Sequence, residues 1–154
     1  MPVQTSPRPS RENDRPPFEG LSAVAQPLTV AEDRQWATLA HFGGVAGFLP
    51  SLLIHRAFRG RGRFTEQESL EAMNFTLLPS LVVVAGALLA PVPFVGWLFA
   101  LAAAAAWLLL AIGSLAGGIQ VNRGEPYVYR YNTRLYDRLA ERLAERSRER
   151  AARR

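Results

Sequence analysis

Polar and apolar residues fall into three long blocks along this chain. Residues 1–35 are polar and rich in proline, residues 36–120 are mostly apolar, and residues 121–154 are strongly basic. This partition is typical of a membrane-embedded core with two aqueous tails, because too little amphipathic sequence is present to surround an apolar core helix in water. We therefore expect the bilayer to be the solvent of the central block.

The longest uncharged stretch sets the length scale of that block. It runs from Pro91 to Gln120 and contains no Asp, Glu, Lys, Arg or His. A helix over residues 94–119 would be about 39 Å long, whereas the hydrocarbon core of a bilayer is about 30 Å thick. This stretch is therefore long enough to cross a membrane with some tilt.

Two further apolar stretches predict two more membrane spans. They cover about residues 36–54 and 72–90, and a short turn joins the latter to the span over residues 94–119. Pro50 and Pro79 are predicted to kink their helices, since proline removes a backbone donor and clashes with the preceding turn. The predicted fold class is all-α: an integral membrane helical bundle of three transmembrane helices plus a C-terminal basic amphipathic helix.

The ends of the chain differ from this core. Residues 1–33 are predicted to be a disordered, Pro-rich tail, residues 34–136 the transmembrane domain, and residues 137–154 an Arg-rich helical tail. Leu135, Leu139 and Leu143 form a narrow apolar stripe on the terminal helix. We expect this helix to lie on the membrane surface, because anionic lipid attracts arginine. Packing on a partner and full solvation remain open.

Small residues and a capping pattern refine the helices. Gly43 with Gly47, and Gly113 with Gly117, stand four residues apart, a spacing that lets helix backbones approach closely in lipid. Thr65 followed by Glu68 has the pattern of a capping box, which predicts a helix start at that point.

Arginine positions predict an orientation. The arginines near the predicted spans are Arg34 in the N-terminal flank, Arg56, Arg59, Arg61 and Arg63 in the first loop, and Arg123, Arg130, Arg134 and Arg138 in the C-terminal flank. Three spans place the first loop and the C-terminal flank on one side, and arginine favours the cytoplasm. The prediction is a multi-pass plasma-membrane protein with its N-terminus outside and its C-terminus cytoplasmic, with the arginine clusters binding anionic lipid headgroups.

Composition argues against catalysis. Cysteine is absent and the only histidines are His41 and His55, so neither a thiolate site nor a histidine-rich metal site is expected. No catalytic triad and no phosphate-binding glycine loop can be identified. The arginine run at residues 59–63 lies beside a span and is predicted to face lipid rather than nucleic acid. We expect no enzyme activity, cofactor, metal or nucleic-acid partner.

Three motifs resemble a known family. They are Leu39-Ala40-His41, Glu71-Ala72-Met73-Asn74-Phe75 and Gly124-Glu125-Pro126-Tyr127, with Arg134-Leu135 a short way on. Their order resembles the Tic-twenty-like family of small prokaryotic membrane proteins, a domain of unknown function that is similar to a chloroplast inner-envelope protein-import subunit. The resemblance covers roughly residues 34–136 and implies a helical membrane fold and a link to protein translocation. The run at residues 127–132 departs from the family's usual pattern.

These motifs supply the candidate interaction residues, which are His41, Glu71, Asn74, Phe75, Gly124, Glu125, Tyr127 and Arg134. Glu71 and Asn74 share a helix face and are predicted to bond Arg or Tyr groups near residues 123–127. A direct His41–Glu71 pair is not expected, because the three-span topology separates them in depth. One hypothesis gives these side chains a structural role, and the other has them line a pathway or dock a partner.

The predicted function is a non-catalytic interaction or assembly component of a membrane complex, with a link to translocation implied by the resemblance. Other membrane proteins or further copies of the chain are the expected protein partners. The alternatives are an oligomeric channel or carrier for a small solute, and a lipid-surface modulator that acts through the Arg-rich tail.

Overall fold

The computed structural model describes residues 26–152, and these residues are largely helical. The helices are α1 (Val30–Gly43), α2 (Phe48–Phe58), α3 (Arg63–Leu89), α4 (Gly96–Asn122) and α5 (Leu135–Ala152), with a single 3₁₀ turn, Gly44–Ala46, between α1 and α2. The all-α prediction is confirmed. Most of the predicted disordered tail, residues 1–33, lies outside the described residues.

Helix α1 begins earlier than the first predicted span. The Thr29 hydroxyl accepts from the backbone N–H of Glu32, and the Glu32 carboxylate accepts from the backbone N–H of Thr29 at 2.9 Å. This reciprocal capping satisfies two amides that the first helical turn leaves unpaired. The helix therefore includes the polar residues that precede Trp36.

The first predicted span is not one helix. After Gly43 the chain passes through the 3₁₀ turn and reverses at Gly47, whose φ of +103° suits glycine rather than a residue with a Cβ. Helix α2 then runs back along α1, and the Ser51 hydroxyl donates to the Ala40 carbonyl at 2.7 Å. The predicted kink at Pro50 is wrong, because Pro50 lies in the first turn of α2, where a missing N–H costs no hydrogen bond.

The reversal brings the end of α2 back beside the start of α1. The backbone N–H of Leu28 donates to the Arg61 carbonyl at 2.7 Å. Asp33 accepts from the backbone N–H groups of Phe64, at 3.2 Å, and Thr65, at 2.6 Å. Asp33 thus supplies the cap of α3 from a distant position in the sequence. The predicted local capping box is wrong, since Thr65 is buried inside the helix and donates its hydroxyl to the Asp33 carbonyl.

Helices α3 and α4 form the long part of the molecule. Within residues 26–152 these two helices are long and apolar enough to cross a membrane, whereas the predicted count was three. They meet closely at Gly86, where an added Cβ would lie 2.8 Å from the Ala103 side chain. The third predicted span falls on α4 and the second on the apolar part of α3. The correction comes entirely from the reversal at Gly47.

The two ends of this bundle have different composition. We call the arginine end the one formed by the start of α1, the end of α2, the start of α3 and the end of α4. The far end is the turn over residues 90–95, which carries no charged residue. Because Leu28 bonds Arg61, the chain that leads into α1 lies at the arginine end with the first loop, and the predicted separation of these two segments is wrong.

Candidate functional site: a polar latch at the arginine end

A completely buried histidine in the last turn of α1 connects that helix to the first turns of α3. His41 projects from α1, and its Nε2 lies 3.1 Å from Glu68 Oε2 on α3. Its Nδ1 lies 2.8 Å from the hydroxyl of Tyr129, in the segment after α4. A ring that carries its proton on Nε2 donates to the Glu68 carboxylate and accepts from the Tyr129 hydroxyl, so both ring nitrogens are satisfied. His41 thereby joins three parts of the chain.

The segment between α4 and α5, residues 123–134, is held against α3 by carboxylates. We call it the strap. The backbone N–H of Tyr127 donates to Glu68 Oε2 at 3.1 Å, and that of Tyr129 donates to Glu71 Oε1 at 3.0 Å. One turn of α3 therefore fixes two alternate residues of the strap, and we call His41, Glu68, Glu71, Tyr127 and Tyr129 the polar latch.

Aromatic packing closes the latch. The ring of Tyr129 stacks on Phe75 with centroids 3.8 Å apart and planes 2° apart, and Tyr127 meets Tyr129 edge to face at 4.9 Å. Burial, followed by the neighbouring Tyr127 and the Glu71 and Glu68 carboxylates, raises the pKa of Tyr129 well above its usual value. The phenol therefore remains protonated and available as a donor to His41.

Glycines on α4 make room for the latch. A Cβ on Gly117 would lie 2.7 Å from His41 Nδ1 and 2.9 Å from the Tyr129 hydroxyl, and a Cβ on Gly113 would meet the Phe75 ring. Gly44 in the α1–α2 turn faces Ser114 in the same way. Gly113 and Gly117 thus lie in a packing face of α4, as predicted, whereas Gly43 and Gly47 do not share a helix because the chain turns between them.

The structure brings five of the eight sequence-predicted residues together, namely His41, Glu71, Asn74, Phe75 and Tyr127. Asn74 accepts from the backbone N–H of Asp137 at 3.2 Å and so anchors the start of α5. Glu71 and Asn74 bond the backbone amides of Tyr129 and Asp137, which lie beyond the Arg and Tyr groups near residues 123–127 that were predicted. The absence of a direct His41–Glu71 bond is as expected, but His41 bonds Glu68, one turn earlier on the same helix.

The other three predicted residues lie outside the latch. Gly124, with φ of +85°, ends α4 and donates its N–H to the Val121 carbonyl at 2.9 Å. Glu125 and Arg134 are exposed. Sequence reasoning missed Glu68 and Tyr129. Their signal was the three-residue spacing of Glu68 and Glu71 on one helix face, matched by alternate tyrosines in the strap.

A small polar cleft opens beside the latch. It is lined by Glu68, Glu71, Asn74, Arg134 and Asp137 among others. Glu68 Oε1 is buried and has no hydrogen-bond partner among the described residues. Residues 26–152 contain no group of three or more His, Asp or Glu side chains arranged to hold a metal ion. The hydrogen bonds beside the cleft connect α1, α3 and the strap, so their evident role is to hold these three segments together.

The fold and the latch define a small all-helical protein with two helices apolar enough to span a membrane and a polar joint at one end. A family model, described as the magnetosome magnetite crystal formation protein family, matches residues 32–136, more than half of the chain. The chain belongs to this family, named MamF/MmsF. No curated protein and no solved structure matches the chain.

This membership corrects the earlier resemblance. The chain is a member of the MamF/MmsF family and not of a Tic-twenty-like family, and the link to protein translocation has no support. The quoted motifs contribute His41, Glu71, Phe75 and Tyr127 to one packed site. They therefore report how the helices pack, and packing does not fix a biological role.

Proposed function

We propose that the protein is a non-catalytic structural component of the magnetosome membrane, where it assembles with other membrane proteins during magnetite crystal formation. We call residues 72–122, the apolar part of α3 together with α4, the apolar arm. The observation that carries the proposal is that a chain with family membership over residues 32–136 exposes many large apolar side chains on this arm. The polar latch holds the helices in place, and the arm presents surface to the bilayer and to neighbouring proteins.

Exposed apolar side chains support insertion into a bilayer. Leu88 on α3 is 74% exposed, and Trp97 and Ile112 on α4 are 64% and 68% exposed. Extensive apolar surface of this kind is unfavourable in water but matches lipid tails. From Ala72 to Asn122 the chain has no charged residue, so insertion of this arm would bury no charge in lipid.

The arginines support a different orientation from the three-span one. The nine arginines near the apolar segments lie in α1, at the end of α2, in the first loop, at the start of α3, in the strap and at the start of α5, and the far end has none. With two spans, the positive-inside rule places the arginine end, and therefore both tails, in the cytoplasm. The far-end turn then faces the opposite compartment.

The start of α5 supports contact with lipid headgroups. Glu71 is the last charged residue before the apolar part of α3, and Asn74 lies three residues further along the same helix. Asn74 accepts a hydrogen bond from the backbone N–H of Asp137, in the first turn of α5. Helix α5 therefore starts at the level where the apolar arm begins. Its leucine stripe is suited to the acyl boundary, and its arginines to anionic headgroups.

A channel or carrier receives no support from the position of the polar residues. The last polar side chains along the apolar arm are Ser80 on α3 and Ser114 on α4. The remaining stretch between them, which includes the far end, contains only apolar residues and glycine or proline. A water-filled path would need polar lining there, so we do not adopt this alternative.

Site-specific crosslinking tests the assembly role. The chain has no cysteine, so Ile112→Cys on the exposed face of α4 can be compared with Leu110→Cys, which is 2% exposed. In a magnetite-forming host that depends on this chain, we expect the first variant to trap a neighbouring membrane protein and the second to trap none. The assembly role is contradicted if both positions crosslink only to lipid while removal of the protein leaves crystal size unchanged.

A further inference from the structure

The α1–α2 hairpin ends partway along the α3–α4 pair. At its tip, the backbone N–H of Phe48 donates to the Ser80 hydroxyl at 3.0 Å, and Gly44 lies against Thr76 and Ser114. Ser80 is nine residues beyond Glu71, or about 14 Å along α3 at the helical rise. If Glu71 marks the edge of the hydrocarbon, the tip lies near the middle of a core about 30 Å thick.

Beyond the tip only two helices remain. At Gly86, α3 packs closely on Phe99 and Ala103 of α4. A small apolar hollow lies directly under the tip, lined by Val45, Ala46, Val83, Trp107 and Leu110 among others. The arginine half of the bilayer therefore holds four helical segments, and the far half holds two.

This difference gives the molecule a wedge shape. Each helix with its side chains is about 10 Å wide, so two extra segments enlarge one leaflet and leave the other unchanged. Helix α5 adds to the same side, because its leucine stripe is exposed and begins at headgroup level. Insertion into one leaflet relaxes when that leaflet is convex, and interfacial helices are sensitive to curvature for this reason.

We propose that the protein prefers strongly curved anionic membranes and stabilises them, with its arginine end on the convex side. The partner is a lipid surface, selected by the half-depth hairpin and by the charge of the arginine end. The inference rests on the bilayer insertion argued under the proposed function, but it requires no role in crystal formation.

The test measures protein density as a function of vesicle size. The full chain carrying Val92→Cys, in the exposed far-end turn, is labelled with a fluorophore and reconstituted into anionic phosphatidylglycerol vesicles of mixed diameter. Single-vesicle imaging then gives the number of labels per unit area. We expect at least about a threefold rise in density from the largest to the smallest vesicles. External protease should digest the C-terminal helix α5, because the proposal places the arginine end on the outer, convex side.

A variant pair isolates the contribution of α5. Leu139→Asp with Leu143→Asp removes the apolar stripe, and we expect it to lower the density ratio to about half. Glu141→Gln with Glu145→Gln changes the opposite face of the same helix and should leave the ratio unchanged.

Three outcomes overturn the inference in different ways. A flat density profile for protein that resists carbonate extraction contradicts the wedge and leaves the proposed function standing. Protein that washes off at alkaline pH contradicts both. Labels that bleach in pairs on vesicles of every size, with a flat profile, would instead assign the hairpin face to a second copy of the chain.

Discussion

Different forces stabilise the two halves of this molecule. We call the half next to the arginine end the arginine half, and the half next to the turn over residues 90–95 the far half. In the arginine half, buried polar groups form hydrogen bonds between α1, α3 and the strap. His41, for example, bonds both Glu68 on α3 and Tyr129 in the strap. In the far half, α3 and α4 meet through small apolar contacts such as Gly86 with Ala103. Side-chain identity should therefore matter far more in the first half than in the second. The following experiments challenge that contrast, from the largest expected effect to the smallest.

Loss of Glu68 should be the most damaging change. Glu68→Ala leaves the backbone N–H of Tyr127 and the ring of His41 without their shared acceptor. Each buried donor that is left without an acceptor costs about 1 to 3 kcal/mol, so thermal unfolding in detergent should shift to markedly lower temperature. Gln67→Ala, at the exposed neighbouring position, is the control, and equal unfolding temperatures for the two variants would contradict the latch.

A methyl group at Gly117 should also weaken the arginine half. In Gly117→Ala the new Cβ lies 2.7 Å from His41 Nδ1 and 2.9 Å from the Tyr129 hydroxyl. Overpacking of this kind costs about 2 kcal/mol, which is measurable by SDS titration of the reconstituted protein. Leu115→Ala, on the exposed face two residues earlier, should differ little from wild type. A neutral Gly117→Ala would show that the strap is not seated on α4.

Removal of the Tyr129 hydroxyl should have a smaller effect. Tyr129→Phe retains the stack on Phe75 but leaves His41 Nδ1 without its donor. The expected loss is about 1 kcal/mol. Tyr131→Phe, at a position that is 76% exposed, should show no loss under the same titration. If the two tyrosine variants lose the same stability, the Tyr129 hydroxyl does not contribute to the latch.

Truncation in the far half should be close to neutral. Leu101→Ala shortens a side chain that is 61% exposed on α4. In lipid, such a residue exchanges protein contact for acyl-chain contact, and surface changes away from special features fall within about 0.5 kcal/mol. A loss as large as that of Glu68→Ala would mean that the far half is packed against something other than lipid.

The positions of the long apolar helices could be predicted from the sequence better than the path of the chain between them. The predicted spans over residues 72–90 and 94–119 fall on α3 and α4, the two helices within residues 26–152 that are long and apolar enough to cross a membrane, because length and the absence of charge can be read from the sequence. The region of residues 36–54 has the same composition, but it reverses at Gly47. Glycine at positions 43, 44 and 47 permits both a packed span and a tight reversal, and only contacts distant in sequence, such as Leu28 with Arg61, select the reversal.

The same long-range contacts explain what was missed in the site. His41 was placed in the outer half of a span, so no partner on the first turns of α3 was expected. Helix α1 instead starts at the arginine end beside the start of α3, and Glu68 lies within hydrogen-bond distance of His41. The motif residues Glu71, Asn74 and Tyr127 could be selected from sequence. Tyr129 had only its alternate spacing with Tyr127 as a signal, and its burial and its stack on Phe75 place it in the site.

The placement of both tails at one membrane face is the most direct test of the account. The cysteine-free chain allows single cysteines at exposed Val30, in the far-end turn at Val92 and on α5 at Glu145. A membrane-impermeant thiol reagent applied to oriented membranes should label Val30→Cys and Glu145→Cys from the same side and Val92→Cys from the other. Labelling of Val30→Cys and Val92→Cys from the same side would restore the three-span topology and contradict the half-depth hairpin.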